Sequence, residues 1–165
     1  MKRPIPLKPK KGQESVWDYP RPPKLEKVNK TIQIHFNDEL IVQTSNAYRV
    51  LETSHPPVYY IPPNDIKKEY LMYSDRTTYC EWKGAGSYYH ISVKGQVAKD
   101  AAWYYDQPKK GFEAIKGYPA FYAQFMDKCL IHGIQVEPQP GGFYGGWVTP
   151  DIVGPFKGEE SSWGW

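Results

Sequence analysis

TIQIHFNDELIVQT, residues 31–44, carries the pattern on which the fold assignment rests. Ile32, Ile34 and Phe36 alternate with Gln33 and His35, the period of a strand with one face turned inward, and Asn37-Asp38 then offers two residues that tolerate the backbone of a tight turn. A β-hairpin is predicted here. Downstream, residues 47–53 and 58–61 read as further short strands. Pro56, Pro57, Pro62 and Pro63 fence the second, which suits a sheet edge where missing N–H donors cost little. NDIKKEYL, residues 64–71, opens with Asn64 or Asp65 as a cap for a helical turn or two. Residues 77–81, 86–94 and 97–106 read as strands joined at Lys83-Gly84 and Lys94-Gly95, and a last pair is expected over 120–125 and 129–136. The expected class is mainly β and antiparallel, with one or two short helical turns and extended N- and C-terminal arms.

Composition agrees. The 165 residues include 6 Trp, 14 Tyr and 6 Phe, with 16 Pro and 14 Gly, which excludes both a disordered chain and a helical bundle. One domain is the expectation at this length. The net charge of +3 is uneven: residues 1–12 hold Lys2, Arg3, Lys8, Lys10 and Lys11 without an acid, so the rest of the chain is slightly acidic. A basic stripe over the folded body is therefore not indicated, and nucleic-acid binding would rest on the tail alone. No apolar run is long enough for a membrane helix, and no apolar segment follows the first basic residues. Cys80 and Cys129 are too few for a disulfide framework and form no CxxC pair, so a soluble, cytoplasmic protein is expected. The expected organisation is a flexible basic tail over 1–13, a single β domain over 14–137, and an extension over 138–165 that packs on it. That extension holds seven Gly, four Pro and six aromatics.

Four motifs follow one another along the chain: ESVWDYPRPP at 14–23, RVLETSHPPVYYIPPNDI at 49–66, TTYCEWKGAGSYY at 77–89 and AAWYYDQP at 101–108. Together they resemble the family called domain of unknown function 427, and GYPAFYAQFMD with the tail GGFYGGWVTPDIVGPFKG resembles its stand-alone, cyanobacterial-type members. The resemblance implies two antiparallel sheets meeting at an angle, similar to β-tent proteins. It also brings a nucleotidyltransferase label. Nucleotidyl transfer of the polymerase-β type needs a Gly-Ser turn followed by a carboxylate pair that holds two metal ions. Here GAGS is followed by YYHISV with no carboxylate until Asp100, and Asp38-Glu39 has no Gly-Ser before it. The sequence does not support the label.

The candidate site residues come from these motif blocks. Cys80, Glu81 and Lys83 alternate with Tyr79 and Trp82, which would put Cys80 and Trp82 on one face and Glu81 and Lys83 on the other. A nucleophilic Cys80 needs a base or cation beside it, for which Lys83, His55 and His90 are the available groups; a buried, inert thiol is the alternative. Lys83-Gly84 is not a P-loop, whose lysine follows the second glycine and opens a helix. Arg21, Arg49, Glu52 and Asp65 could line a cleft, or Arg21 could pair with Glu52 to tie down the arm while Asp65 caps a turn. Trp17, Tyr60, Tyr88, Trp103 and Tyr105 are read as core or cleft wall. The excess of Tyr over Phe favours a surface that recognises something polar. The four histidines show no metal-ligand spacing, so neither a metal nor a cofactor is expected. FYGGW, residues 143–147, reads as a flexible joint that lets Trp147 and Phe156 dock.

Three functions follow from this reading. The first is a small-molecule site, ligand-binding or enzymatic, with Glu52, Asp65, Cys80 and Lys83 as catalytic candidates. The second is a protein-interaction or homo-oligomerisation module built on the aromatic extension. The third is weak nucleic-acid binding by the basic tail.

Overall fold

The computed structural model describes residues 3–165; Lys2, counted in the basic segment, lies outside them. After β1 (Glu14–Ser15) and β2 (Lys24–Lys27), the expected hairpin forms from β3 (Ile32–Phe36) and β4 (Glu39–Thr44). Asn37 and Asp38 turn it with φ of 47° and 62°. A bulge between Ile34 and His35 lets the neighbours Ile41 and Val42 both face inward, so LIVQT departs from strict alternation. β5 (Tyr48–Leu51) and β6 (Val58–Tyr60) join β2 in the order β2-β5-β6, with β6 at the edge as its flanking prolines require.

A long meander follows. β7 (Leu71–Cys80), β8 (Gly84–Val93) and β9 (Gln96–Tyr105) pair antiparallel, and β10 (Ala120–Phe121) closes against β9. β11 (Lys128–Ile131) and β12 (Ile134–Gln135) extend the β3-β4 hairpin into a second four-stranded sheet. The extension adds β13 (Glu137–Pro138), β14 (Trp147–Val148) and β15 (Ile152–Val153). β14 pairs antiparallel with β13, whereas β15 runs parallel to β1.

Three segments differ from expectation. Residues 64–71 hold two 3-10 turns, Pro63–Asp65 and Lys68–Tyr70, and neither has a side-chain cap. Asp65 is not a cap, because its Oδ2 accepts the Thr44 hydroxyl at 2.6 Å and ties the turn to β4. β7 begins at Leu71 rather than at 77, since a bulge sets Ser74, Asp75 and Arg76 opposite Tyr88 and interrupts the alternation that marks a strand in sequence. The final pair is shorter and more broken: 120–125 gives two strand residues and then a 3-10 turn, while 129–136 folds back on itself. The cause of the second is His132-Gly133, both at positive φ, a two-residue hairpin turn in the middle of the expected strand.

Two apolar clusters share the meander. Ile32, Ile34, Phe36, Ile41 and Val42 pack with Ile91 and Val93 of β8, Cys129 and Ile131 of β11, and Trp147 of the extension. Tyr88, Trp103 and Tyr105 pack instead with Val50, Tyr60, Ile115 and Tyr122. The change of partner along β8 coincides with the bulge between Tyr89 and Ile91, which shifts the inward parity from Tyr88 to Ile91. The second cluster is therefore built of ring-bearing residues on one end of the sheet, and that end opens into a cleft.

The arms lie against the body. Leu7 N–H donates to the Gly154 carbonyl at 2.8 Å, Gln13 Nε2 to that of Pro150 at 3.1 Å, and the Arg3 guanidinium sits 5.1 Å from the Trp17 ring. Arg49 holds the start of the domain through ion pairs with Glu14 at 2.8 Å and Glu26 at 2.7 Å. Trp147 is 1% exposed, stacks on Tyr59 and donates its indole N–H to the Phe121 carbonyl at 2.9 Å. Gly145 and Gly146 are required by close approach rather than by flexibility: a Cβ would stand 2.0 Å from Trp103 at the first and 2.5 Å from the Pro56 carbonyl at the second. Among the described residues, no helix is long and apolar enough to cross a membrane.

Candidate functional site

The cleft beside the second cluster has a volume of about 340 Å³. Its floor is Tyr60, Trp103 and Tyr105, with Tyr60 6.4 Å and 6.3 Å from the other two rings. Cross-strand pairing of Tyr88 with Trp103 and of Gly86 with Tyr105 brings these rings to one face, and the absence of a side chain at Gly86 leaves room for the Thr78 hydroxyl, which a Cβ would approach to 3.0 Å. The β7 bulge aims Arg76 across the Tyr88 ring at 4.6 Å, and Thr78 shares a 3.1 Å hydrogen bond with the Tyr88 hydroxyl. Phe143 and Tyr144 of the extension form the opposite wall, where the Tyr122 hydroxyl donates to the Phe143 carbonyl.

Lys83 is the unusual charge. It is 8% exposed, it lines the cleft, and among the described residues its ammonium has no hydrogen-bond or ion-pair partner, only the Tyr105 ring at 5.8 Å. The stem is enclosed while the ammonium reaches the cleft, where an anion could pair with it. β7 ends at Cys80, so the alternation expected through Lys83 is broken by a turn: Glu81 is exposed and Lys83 buried, and both line the cleft.

Opposite Lys83 lies a chain of oriented polar groups. The Gly146 N–H can only donate, and it meets Gln139 Oε1 at 3.0 Å, which fixes the amide of this 2% exposed side chain. Gln139 Nε2 then donates to the Lys157 carbonyl at 2.7 Å and to His55 Nδ1 at 3.1 Å. His55 therefore carries its proton on Nε2, which faces Glu52 Oε2 at 3.7 Å. Burial, with Lys157, Lys83 and Arg21 nearby, depresses the His55 pKa to about 3 and keeps the ring neutral. Burial raises the Glu52 carboxyl, against the opposing pull of Lys83, Arg21 and Lys157. Burial also lowers the Lys157 ammonium.

The His55 shift has a consequence for stability. Unfolded, His55 titrates near 6.5 and folded near 3, so between these values the unfolded chain binds a proton that the folded one refuses. Stability is lost as pH falls through this window, by about 2 kcal/mol at about pH 5. Glu52 acts with the opposite sign, since its raised pKa favours the folded state as pH falls. His55→Asn keeps an acceptor for Gln139 and removes the titration. The stability difference between wild type and this variant is expected to shift by about 2 kcal/mol between about pH 8 and about pH 5, read by urea denaturation. A difference that does not move with pH would contradict a neutral, buried His55.

Of the residues proposed from sequence, Glu52, Tyr60, Cys80, Lys83, Tyr88, Trp103 and Tyr105 line this cleft. Cys80 is half-buried there, in the same cleft as His55 and Lys83, whereas His90 is elsewhere, its Nδ1 accepting the Asp100 backbone N–H. Arg21 is exposed and forms no ion pair with Glu52 among the described residues, although its charge acts on that carboxyl. Trp17 is not in the cleft: its indole donates to the Pro155 carbonyl at 2.9 Å and its ring meets Trp165 at 5.5 Å. Asp65 is held by Thr44 and does not line the cleft. Sequence reasoning missed Gln139, Tyr144 and Lys157. They stand on the extension, read there only as packing material, and no local spacing ties them to Glu52.

Fold and site together define a small antiparallel β protein with an aromatic-walled, polar cleft. The chain belongs to the family described as Domain of unknown function (DUF427), whose profile, labelled NTP_transf_9, matches residues 24–132. No curated protein matches it. The matched span supplies Glu52, His55, Cys80 and Lys83, and the extension beyond it supplies Gln139, Tyr144 and Lys157. The metal-held triphosphate chemistry that the label suggests does not fit these residues. GAGS lies inside β8, and Asp100, the next carboxylate, accepts the Ser74 hydroxyl outside the cleft. Among the described residues no group of three or more His, Cys, Asp or Glu side chains is placed to hold a metal ion.

Proposed function

We propose that the cleft binds a small anionic molecule carrying a flat ring. The observation that carries this reading is Lys83, which is 8% exposed and whose ammonium reaches the cleft without an ion-pair partner among the described residues, beside Arg76 and Lys157, which also line it. A carboxylate or phosphate supplies the missing countercharge. Trp103, Tyr122 and Phe143 offer the apolar faces against which a ring stacks. The alternative of a docking surface built on the extension rests on Phe143 and Trp163, which are 60% and 56% exposed, since Trp147 packs into this chain's own core.

Thermal melts against inorganic phosphate, citrate, nucleoside monophosphates, phenylacetate and phenylpyruvate test the reading. A ligand at a hundredfold its Kd adds about 2.7 kcal/mol, which raises Tm by roughly 5 to 10 °C for a chain of this size. Lys83→Met should abolish that rise. No shift with any compound, or an equal shift in Lys83→Met, would overturn the proposal.

A further inference from the structure

Resting on that binding reading, we infer that the cleft is a proton-transfer site for an aromatic 2-oxo acid, with Glu52 as the catalytic base and Lys83 as the cation that receives the enolate oxygen. Three placements carry the inference. First, the Glu52 carboxylate lines the cleft with its side chain 23% exposed, and among the described residues its ion-pair contact is the His55 Nε2–H at 3.7 Å. It is thus oriented without being neutralised by an ion pair at contact distance. Second, His55 is itself excluded as the proton acceptor. Its Nδ1 is occupied by the Gln139 amide, which Gly146 in turn fixes, so the proton falls to a carboxylate; of Glu52 and Glu81, which both line the cleft, Glu52 is the one that the His55 Nε2–H faces. Third, Lys83 and Glu52 stand in one cleft with the rings of Trp103, Tyr122 and Phe143, so that an acidic C–H next to a carbonyl has a base, a cation and an apolar seat in the same space.

The step balances within these groups. The proton on C3 of the 2-oxo acid passes to a Glu52 oxygen, the C–H electron pair forms the C2–C3 double bond, and the C2–O π pair moves to oxygen as an enolate facing Lys83. The proton then returns to C3 or to the oxygen, which interconverts the keto and enol forms with no oxidant, reductant or further reactant. Glu52 is protonated only transiently and is restored in the return step. His55 and Gln139 are positioning residues: His55 faces the base, and Gln139 acts on it through His55.

Phenylpyruvate is the probe. Exchange of its C3 protons for deuterium, followed by proton NMR in heavy water, is expected to run faster with the protein than in matched buffer. Glu52→Gln keeps the shape and hydrogen-bonding reach of the side chain and should slow exchange on the order of a hundredfold, while the phenylpyruvate-induced rise in Tm persists. His55→Asn should lower the turnover rate with little change in KM, because the base is displaced and the anion seat is not. A Tm rise with exchange at the buffer rate would overturn the proton-transfer inference and leave the binding reading standing. Exchange that survives Glu52→Gln would remove Glu52 from the role. Shifts with other anions of the panel but none with phenylpyruvate would overturn the substrate class, and no shift with any of them would overturn the binding reading beneath it.

Discussion

Trp147→Ala is expected to destabilise the protein by about 3 to 5 kcal/mol, the range for deleting a large buried aromatic. The side chain is fully enclosed, stacks on Tyr59 with centroids 5.2 Å apart, and meets the β3-β4 side of the core from the extension. Its removal leaves a cavity between elements far apart in the chain and strips the Phe121 carbonyl of its indole donor. The backbone around it is held as well, since Trp147 N–H donates to the Pro57 carbonyl at 2.9 Å. Urea denaturation would read the loss as a lower midpoint with an unchanged slope. A loss under about 1 kcal/mol would mean that the extension is an accessory, not a part of the core.

The second large effect belongs to Gln139→Leu. The substitution nearly conserves volume but deprives three partners at once: the Gly146 N–H, the Lys157 carbonyl and His55 Nδ1. Each buried polar group left unpaired costs about 1 to 3 kcal/mol; because the three share one network, their sum overstates the loss, and on the order of 3 kcal/mol is expected. The same variant should release the His55 ring from its single tautomer. Nitrogen NMR of the imidazole would show this directly, as one protonated and one bare nitrogen in the wild type and averaged signals in the variant. A variant of wild-type stability with an unchanged His55 tautomer would show that the network does not orient the site.

Both residues stand on the extension, and they mark where sequence reading stopped. The β3-β4 hairpin was legible because period-two alternation and Asn-Asp turn chemistry are local, and the same holds for Lys94-Gly95. The front of β7 was not, because the three-residue bulge at Ser74, Asp75 and Arg76 erases the alternation, and that bulge is what aims Arg76 into the cleft. Seven of the ten proposed site residues converge because five of them sit on the neighbouring strands β7, β8 and β9 or the turn between β7 and β8, while Tyr60 of β6 and Glu52 directly after β5 come from the three-stranded sheet. Asp65 and Trp17 fail for a common reason: motif membership records closeness in sequence, whereas the cleft is assembled by strands that pair across it. Gln139 and Lys157 reach His55 and Glu52 over a long sequence separation, which no spacing rule encodes.

The central claim is that Lys83 is held for a ligand and not for the fold, and the thermal melt of Lys83→Met, unliganded and with the compound that shifts the wild type, tests it most directly. Methionine keeps the length of the apolar stem and removes the ammonium, which has no anionic partner among the described residues. The unliganded variant is expected to be as stable as the wild type or more stable by up to about 2 kcal/mol, in keeping with sites that trade stability for function, and to show no ligand-induced rise. A variant destabilised by more than about 1 kcal/mol, or one that still responds to the ligand, would contradict the claim.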